Sequence, residues 1–197
     1  MKEKNFNIIE SYVKEEIKIS NSIFIAHLEP AKNIEDVKFI ISDISDLYND
    51  ATHNCWAYIV GNNGNFSHSS DDGEPSGTAG KPILNTLLKY NLTNVVAIVT
   101  RYYGGTKLGV RGLIDAYSGV TEKAILNTEL KKLIEKENYK LILDYDFFDI
   151  FKHKLKSFNG EILNTEYTEK IKIEISIEKE FDSLFKDYVK EKTLILV

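Results

Sequence analysis

A chain of 197 residues, 43% hydrophobic and 28% charged, has ordinary globular composition and room for one large domain or two small ones. The formal net charge is −5, and neither half is basic: residues 1–135 carry 14 Lys and Arg against 17 Asp and Glu, residues 136–197 carry 11 against 13. That balance argues against a broadly basic, non-specific nucleic-acid binder and leaves room only for a local basic patch. A single cysteine, Cys55, excludes an intramolecular disulfide framework and fits a reducing compartment. The start, Met1-Lys2-Glu3-Lys4-Asn5, leads into no apolar run of signal-peptide length, and no apolar stretch nears the roughly 18–20 residues that span a bilayer. A cytoplasmic protein with no membrane partner is expected.

Residues Tyr12 to Ile19 and Ile23 to Leu28 read as two strands joined at Ser20-Asn21-Ser22, with Pro30 ending the second. The helical spacing of Ile34, Val37, Ile40, Ile41, Ile44, Leu47 and Tyr48 predicts a helix with Asn33 as its N-cap. Cys55 to Val60 suits a buried strand, and the Gly61-Asn62-Asn63-Gly64 turn lets Asn65 to His68 pair back on it. Ser69 to Lys81 holds no apolar run and reads as a loop before a helix that accepts Pro82 in its first turn. Asn94 to Thr100 is a buried strand, Arg101 to Gly109 a second glycine-rich loop, and Leu108 to about Leu133 a long helix.

The last sixty residues form a cleaner pattern. Tyr139, Leu141, Leu143 and Tyr145 mark a strand, and Phe151, Leu155 and Phe158 a helix. Ile162 to Tyr167 is a strand, and Ile171 to Ile177 a strand with one wet face. Phe181 to Val189 is a helix, and Leu194 to Val197 a closing strand. The order β-α-β-β-α-β is that of the ferredoxin-like unit. The expected fold is α+β: an N-terminal α/β domain over 1–135 followed by a C-terminal ferredoxin-like domain over 136–197.

The two loops carry the chemistry. The first packs three acids (Asp71, Asp72, Glu74), three glycines and four hydroxyls, Ser76 and Thr78 among them, into thirteen positions ending at Lys81. Glycines let a ligand approach the backbone, and amides before a helix can hold an anion. A Walker A loop is ruled out: six residues separate Gly73 from Gly80, two separate Gly77 from it, and Pro82 follows Lys81. The acids could supply oxygens to a hard cation with His53 or His68 nearby, but no EF-hand spacing is present; turn-building caps are the simpler role for Asp71 and Asp72. The second loop brings Arg101, Tyr102, Tyr103, Lys107 and Arg111. Its cations either neutralise the first loop's acids or face an anionic partner, and its tyrosines offer stacking surfaces. His53 and Cys55 would share one strand face, and Cys55 reads as a small buried hydrophobe rather than a nucleophile. No G-x-S-x-G elbow occurs. No catalytic residue, cofactor or metal is assigned.

Three runs carry a resemblance: Asp50-Ala51-Thr52-His53-Asn54-Cys55-Trp56-Ala57-Tyr58, Ser70 through Pro82, and Arg101-Tyr102-Tyr103-Gly104-Gly105 with Lys107-Leu108-Gly109. Together they resemble the signature of the IMPACT/YigZ family, over nearly the whole chain. The resemblance implies a first domain similar to the second domain of a small-subunit ribosomal protein. It implies a second domain similar to the last domain of elongation factor G. The family's eukaryotic namesake is a translation regulator that competes for an activator of the starvation-responsive initiation-factor kinase. Two departures stand out: Ile23 and Asp115 occupy positions where the family usually carries basic residues, while Arg111 adds a charge one turn earlier.

The leading expectation is a non-enzymatic regulator or binding module linked to translation, taking RNA, the ribosome or a translation factor as partner. Its ligand-binding set is Asp71, Asp72, Glu74, Ser76, Thr78, Lys81, Arg101, Tyr103, Lys107 and Arg111. The alternative is an enzyme acting on a small phosphorylated or peptide-like ligand through Asp71, Asp72 and Glu74, with or without a divalent metal. A third reading is protein binding through the C-terminal sheet face that carries Lys172 and Glu174. The first two presuppose that the two loops meet.

Overall fold

The computed structural model describes residues 6–191 and the backbone of 195–196. The polar start 1–5 and the expected strand positions Leu194 and Val197 lie outside the described residues. The chain divides into two units, Met1–Leu133 and Ile134–Val197.

The first unit runs β1 (Asn7–Ile8), β2 (Val13–Ile19), β3 (Ser22–Pro30), α1 (Ile34–Leu47), β4 (His53–Val60), β5 (Phe66–Ser70), α2 (Gly80–Lys89), β6 (Val95–Tyr102), α3 (Gly109–Leu126) and β7 (Lys131–Lys132). Its main sheet has the order β2-β3-β6-β4-β5, antiparallel throughout. Ser20 and Asn21 both take positive φ, 46° and 68°, and Ile19 pairs Ser22, so the first hairpin turns in two residues. Asn33 caps α1 by accepting the Asp36 amide at 2.8 Å.

Alternation along the strands sends side chains to two layers. Phe24, Ala26, Leu28, Cys55, Ala57, Ile59, Ala97 and Val99 pack with α2 and α3. Val60, Val96 and Ile98 meet Val37, Ile40 and Ile44 of α1 on the other face. Each fully buried Leu or Ile here contributes on the order of 1.5–3 kcal/mol.

The second unit runs β8 (Lys136–Leu143), α4 (Tyr145–Leu155), β9 (Glu161–Tyr167), β10 (Ile171–Glu178), α5 (Asp182–Glu191) and β11 (Ile195–Leu196). Its sheet order, β11-β8-β10-β9, is the ferredoxin-like order. Leu141, Leu143, Ile171, Ile173, Ile175 and Ile177 pack against Phe151, Leu155, Phe158, Phe185 and Val189.

Several element ends differ from expectation. Tyr145 opens α4 instead of extending β8, because Asp144 breaks the ladder and Phe147 closes the first turn on the Asp144 carbonyl. The long helix stops at Leu126; Asn127 and Thr128 turn the chain, and Leu130 packs on the core from outside the helix. Ser69 and Ser70 are strand, not loop, and so are Arg101 and Tyr102. The wet face of β10 is incomplete: Ser176 is buried between Asn138 and Glu161 of the neighbouring strands, and Glu161 forms an ion pair with Lys136 of the strand on the far side.

Candidate functional site

His53 pairs Arg101, and Trp56 pairs Ser70, so the start of β4 and the ends of β5 and β6 share one end of the sheet. Helices α2 and α3 both begin there, α2 pressed so close that a Cβ on Gly80 would lie 2.7 Å from the Ser70 carbonyl oxygen. The two loops meet: Glu74 Oε1 lies 2.5 Å from Arg101 Nη1.

The inner half of this region is built from the acids. Asp71 accepts the amides of Gly77 at 2.7 Å, Ala79 at 3.0 Å and Gly80 at 2.8 Å, capping α2. Burial works against its charge, but those amides and nearby Lys81 outweigh it and hold the carboxyl below its ordinary range. Asp72, at φ 43°, accepts the Asn54 amide through its side chain at 2.6 Å. Its carbonyl oxygen sits 2.7 Å from His53 Nδ1. Thr78 is buried and donates its hydroxyl to the Pro75 carbonyl.

Glu74 and Arg101 are buried together, their side chains 3% and 6% exposed. The Tyr117 hydroxyl donates to Glu74 Oε1 at 2.8 Å, and His53 Nε2 stands 4.0 Å away. The Arg101 guanidinium lies over the rings of Phe24 and Tyr103, at 5.2 and 5.4 Å. Cys55 donates its thiol hydrogen to the Asp71 carbonyl at 2.9 Å and lies 3.4 Å from the Tyr117 hydroxyl. Burial pushes the Cys55 thiol up to about 12, against the opposing Tyr117 contact and with the nearby acids. A thiol so placed is no nucleophile at neutral pH. Burial likewise raises the Tyr117 hydroxyl.

Of the two readings left open for Arg101, its position fits the first: it is a strand residue that neutralises Glu74. Asp71, Asp72, Glu74 and Thr78 likewise serve the loop's own architecture. Among the described residues no group of three or more His, Cys, Asp or Glu is placed to hold a metal ion.

The outer half holds the remaining residues. Ser76, Lys81, Tyr103, Lys107 and Arg111 are exposed, and among the described residues none of the three cations forms an ion pair. Asp115, also exposed, lies one turn beyond Arg111. Gly104 holds the second loop down; a Cβ there would strike the Asn21 and Ser22 backbone, and its amide donates to Ser22 Oγ at 3.0 Å. The sequence reading missed Tyr117 and Ser22 as members of this network, and set His53 near the acids only as a companion to a cation. Tyr117 falls on the same helix stripe as Leu113 and Val120, and a tyrosine in a buried stripe needs a partner for its hydroxyl.

Comparison with known proteins identifies the family. The Impact N-terminal domain family matches residues 20–125, and a domain of unknown function (DUF1949) matches residues 141–193. The IMPACT family member YvyE of Bacillus subtilis is 33% identical over 90% of this chain and 82% of its own. The IMPACT family member YigZ of Escherichia coli is 34% identical over 79% of this chain and 76% of its own. Protein IMPACT of Oryctolagus cuniculus is 37% identical over 45% of this chain, which spans only 29% of that protein. A crystal structure of a hypothetical protein superposes over 98% of this chain and 97% of its own, with TM-score 0.69 and 28% identity. No described helix is long and apolar enough to cross a membrane. With its first domain matched from the β2–β3 turn to the end of α3, and relatives alike over most of their length, the chain belongs to the IMPACT family.

Proposed function

We propose that this protein is a non-enzymatic binding module of translational regulation, engaging RNA, the ribosome or a translation factor through Ser76, Lys81, Tyr103, Lys107 and Arg111. One observation carries the reading: at the end of the sheet where the loops meet, Asp71 and Glu74 turn inward and the exposed Asp72 is tied to the Asn54 amide, while three cations, a tyrosine and a serine stand outside without an ion pair among the described residues. An acid-base or metal role for Asp71, Asp72 and Glu74 would need a free carboxylate, and each is held by amides or by Arg101. The regulatory role attributed to the family's eukaryotic namesake supports the choice of translation.

The test is co-sedimentation of the chain with ribosomes across a salt series, with Lys81→Ala, Lys107→Ala and Arg111→Ala combined. Binding is expected to weaken, and the slope of log affinity against log salt to fall by about two to three, as expected for lost phosphate contacts. Unchanged binding and slope would refute the assignment. Arg101→Ala is unsuitable as a probe, since it strikes the fold.

A further inference from the structure

Four strands end the two large sheets: β2 and β5 in the first unit, β9 and β11 in the second. Proteins blunt such edges with charge, bulges, proline or brevity. Two of the other edges, β2 and β9, follow that practice. β2 carries Lys14, Glu15, Glu16 and Lys18. β9 carries Glu161 and Glu166 and a bulge that leaves Leu163 unpaired. Of β11 only Ile195 and Leu196 are described.

β5 uses none of these devices. Its sequence, Phe66-Ser67-His68-Ser69-Ser70, holds no Lys, Arg, Asp, Glu or Pro. It pairs β4 in unbroken register from Phe66↔Val60 to Ser70↔Trp56. Phe66, His68 and Ser70 share a face with Val60, Tyr58 and Trp56. Trp56 stacks on Tyr58 with centroids 6.0 Å apart and meets the His68 ring at 5.8 Å, while Phe66 is 61% exposed. A bare edge thus runs beside an aromatic shelf.

We propose that β5 pairs with β5 of a second copy of this chain, joining the two five-stranded sheets into one. Antiparallel pairing around a two-fold axis keeps the same sheet face on the same side in both copies, so directly opposed residues must share a face. The axis therefore passes through a residue. Centred on His68, it pairs all five strand residues: Phe66 opposite Ser70, Ser67 opposite Ser69, and His68 opposite its own copy. β5 sets no Lys, Arg, Asp or Glu against its copy, whereas an added strand at β2 would meet four charges. Each Phe66 then gains a neighbouring strand over its exposed ring. This proposal is independent of the anion-facing residues, which lie on other elements.

The experiment uses the full chain in sedimentation equilibrium between roughly 1 and 100 µM, a range suited to interfaces below standard size. A concentration-dependent dimer is expected. His68→Lys places two lysines face to face and should weaken it by about fivefold or more, since like charges directly opposed destabilise a strand pair. Register is read by cross-linking. Under mild oxidant His68→Cys should form a covalent dimer alone, while Ser67→Cys and Ser69→Cys should do so only when mixed with each other. The native Cys55 is buried and does not interfere. A circular dichroism spectrum and a thermal unfolding midpoint unchanged from the parent keep the variants interpretable. A monomer at every concentration, or equal cross-linking at all three positions, would overturn the proposal.

Discussion

Arg101→Leu is the perturbation that most directly probes the inner network. It leaves the Glu74 carboxylate, 3% exposed, without its 2.5 Å partner. Removing one member of a buried pair costs about 3–5 kcal/mol, because the remaining charge has lost its solvent and its counter-charge. Tyr117 still donates to Glu74, so the lower end, about 3 kcal/mol, is expected. Glu74→Gln keeps the shape and an acceptor, and should cost less, about 1.5–3 kcal/mol for a lost charged hydrogen bond. Glu74→Leu with Arg101→Leu removes both charges, and its cost should fall short of the summed single costs by at least about 1 kcal/mol. The assay is urea unfolding followed by Trp56 fluorescence, since the single tryptophan sits on β4 and reports on the first unit. A loss below about 1 kcal/mol for Arg101→Leu, or strict additivity in the double variant, would refute a coupled buried pair.

Two further outcomes follow from other parts of the fold. His27 is fully buried, and burial, with the Lys14 charge, lowers its pKa to about 4 from 6.5. The unfolded chain therefore binds a proton that the folded chain does not, so stability is complete above about pH 6.5 and falls as pH drops toward 4. The unfolding midpoint of the first unit should show that slope, and His27→Leu should flatten it. Gly104→Ala drives a methyl into the Asn21 and Ser22 backbone, which has no rotamer to yield, and should cost about 1–3 kcal/mol. Gly119→Ala, in the middle of α3 with open space around it, should instead stabilise by up to about 1 kcal/mol. If both shift the Trp56 unfolding midpoint in the same direction, the steric account of Gly104 fails.

Local patterns made much of the architecture legible. The cap at Asn33, the turn at Ser20-Asn21, the apolar run Val95 to Val99 and the Ile171–Ile177 alternation each depend on residues a few positions apart. The motif runs were specific enough to name the family before any coordinates. Element ends read less well, because Tyr145 and Leu130 continue an apolar period that Asp144 and Asn127 interrupt through backbone geometry. In the candidate site, the residue types were visible but their orientation was not. An exposed arginine and a buried one look alike in sequence.

What the sequence alone determined was the set of elements, the division into two patterned halves and the polar, glycine-rich character of the two loops. Only the tertiary structure decided which charges those loops spend on each other. Arg101 finds Glu74 27 residues away, and Glu74 finds Tyr117 43 residues away. Such partners are chosen by sheet register and helix packing, because a buried charge must be neutralised by whatever the fold brings within reach, and chain separation carries no record of that distance.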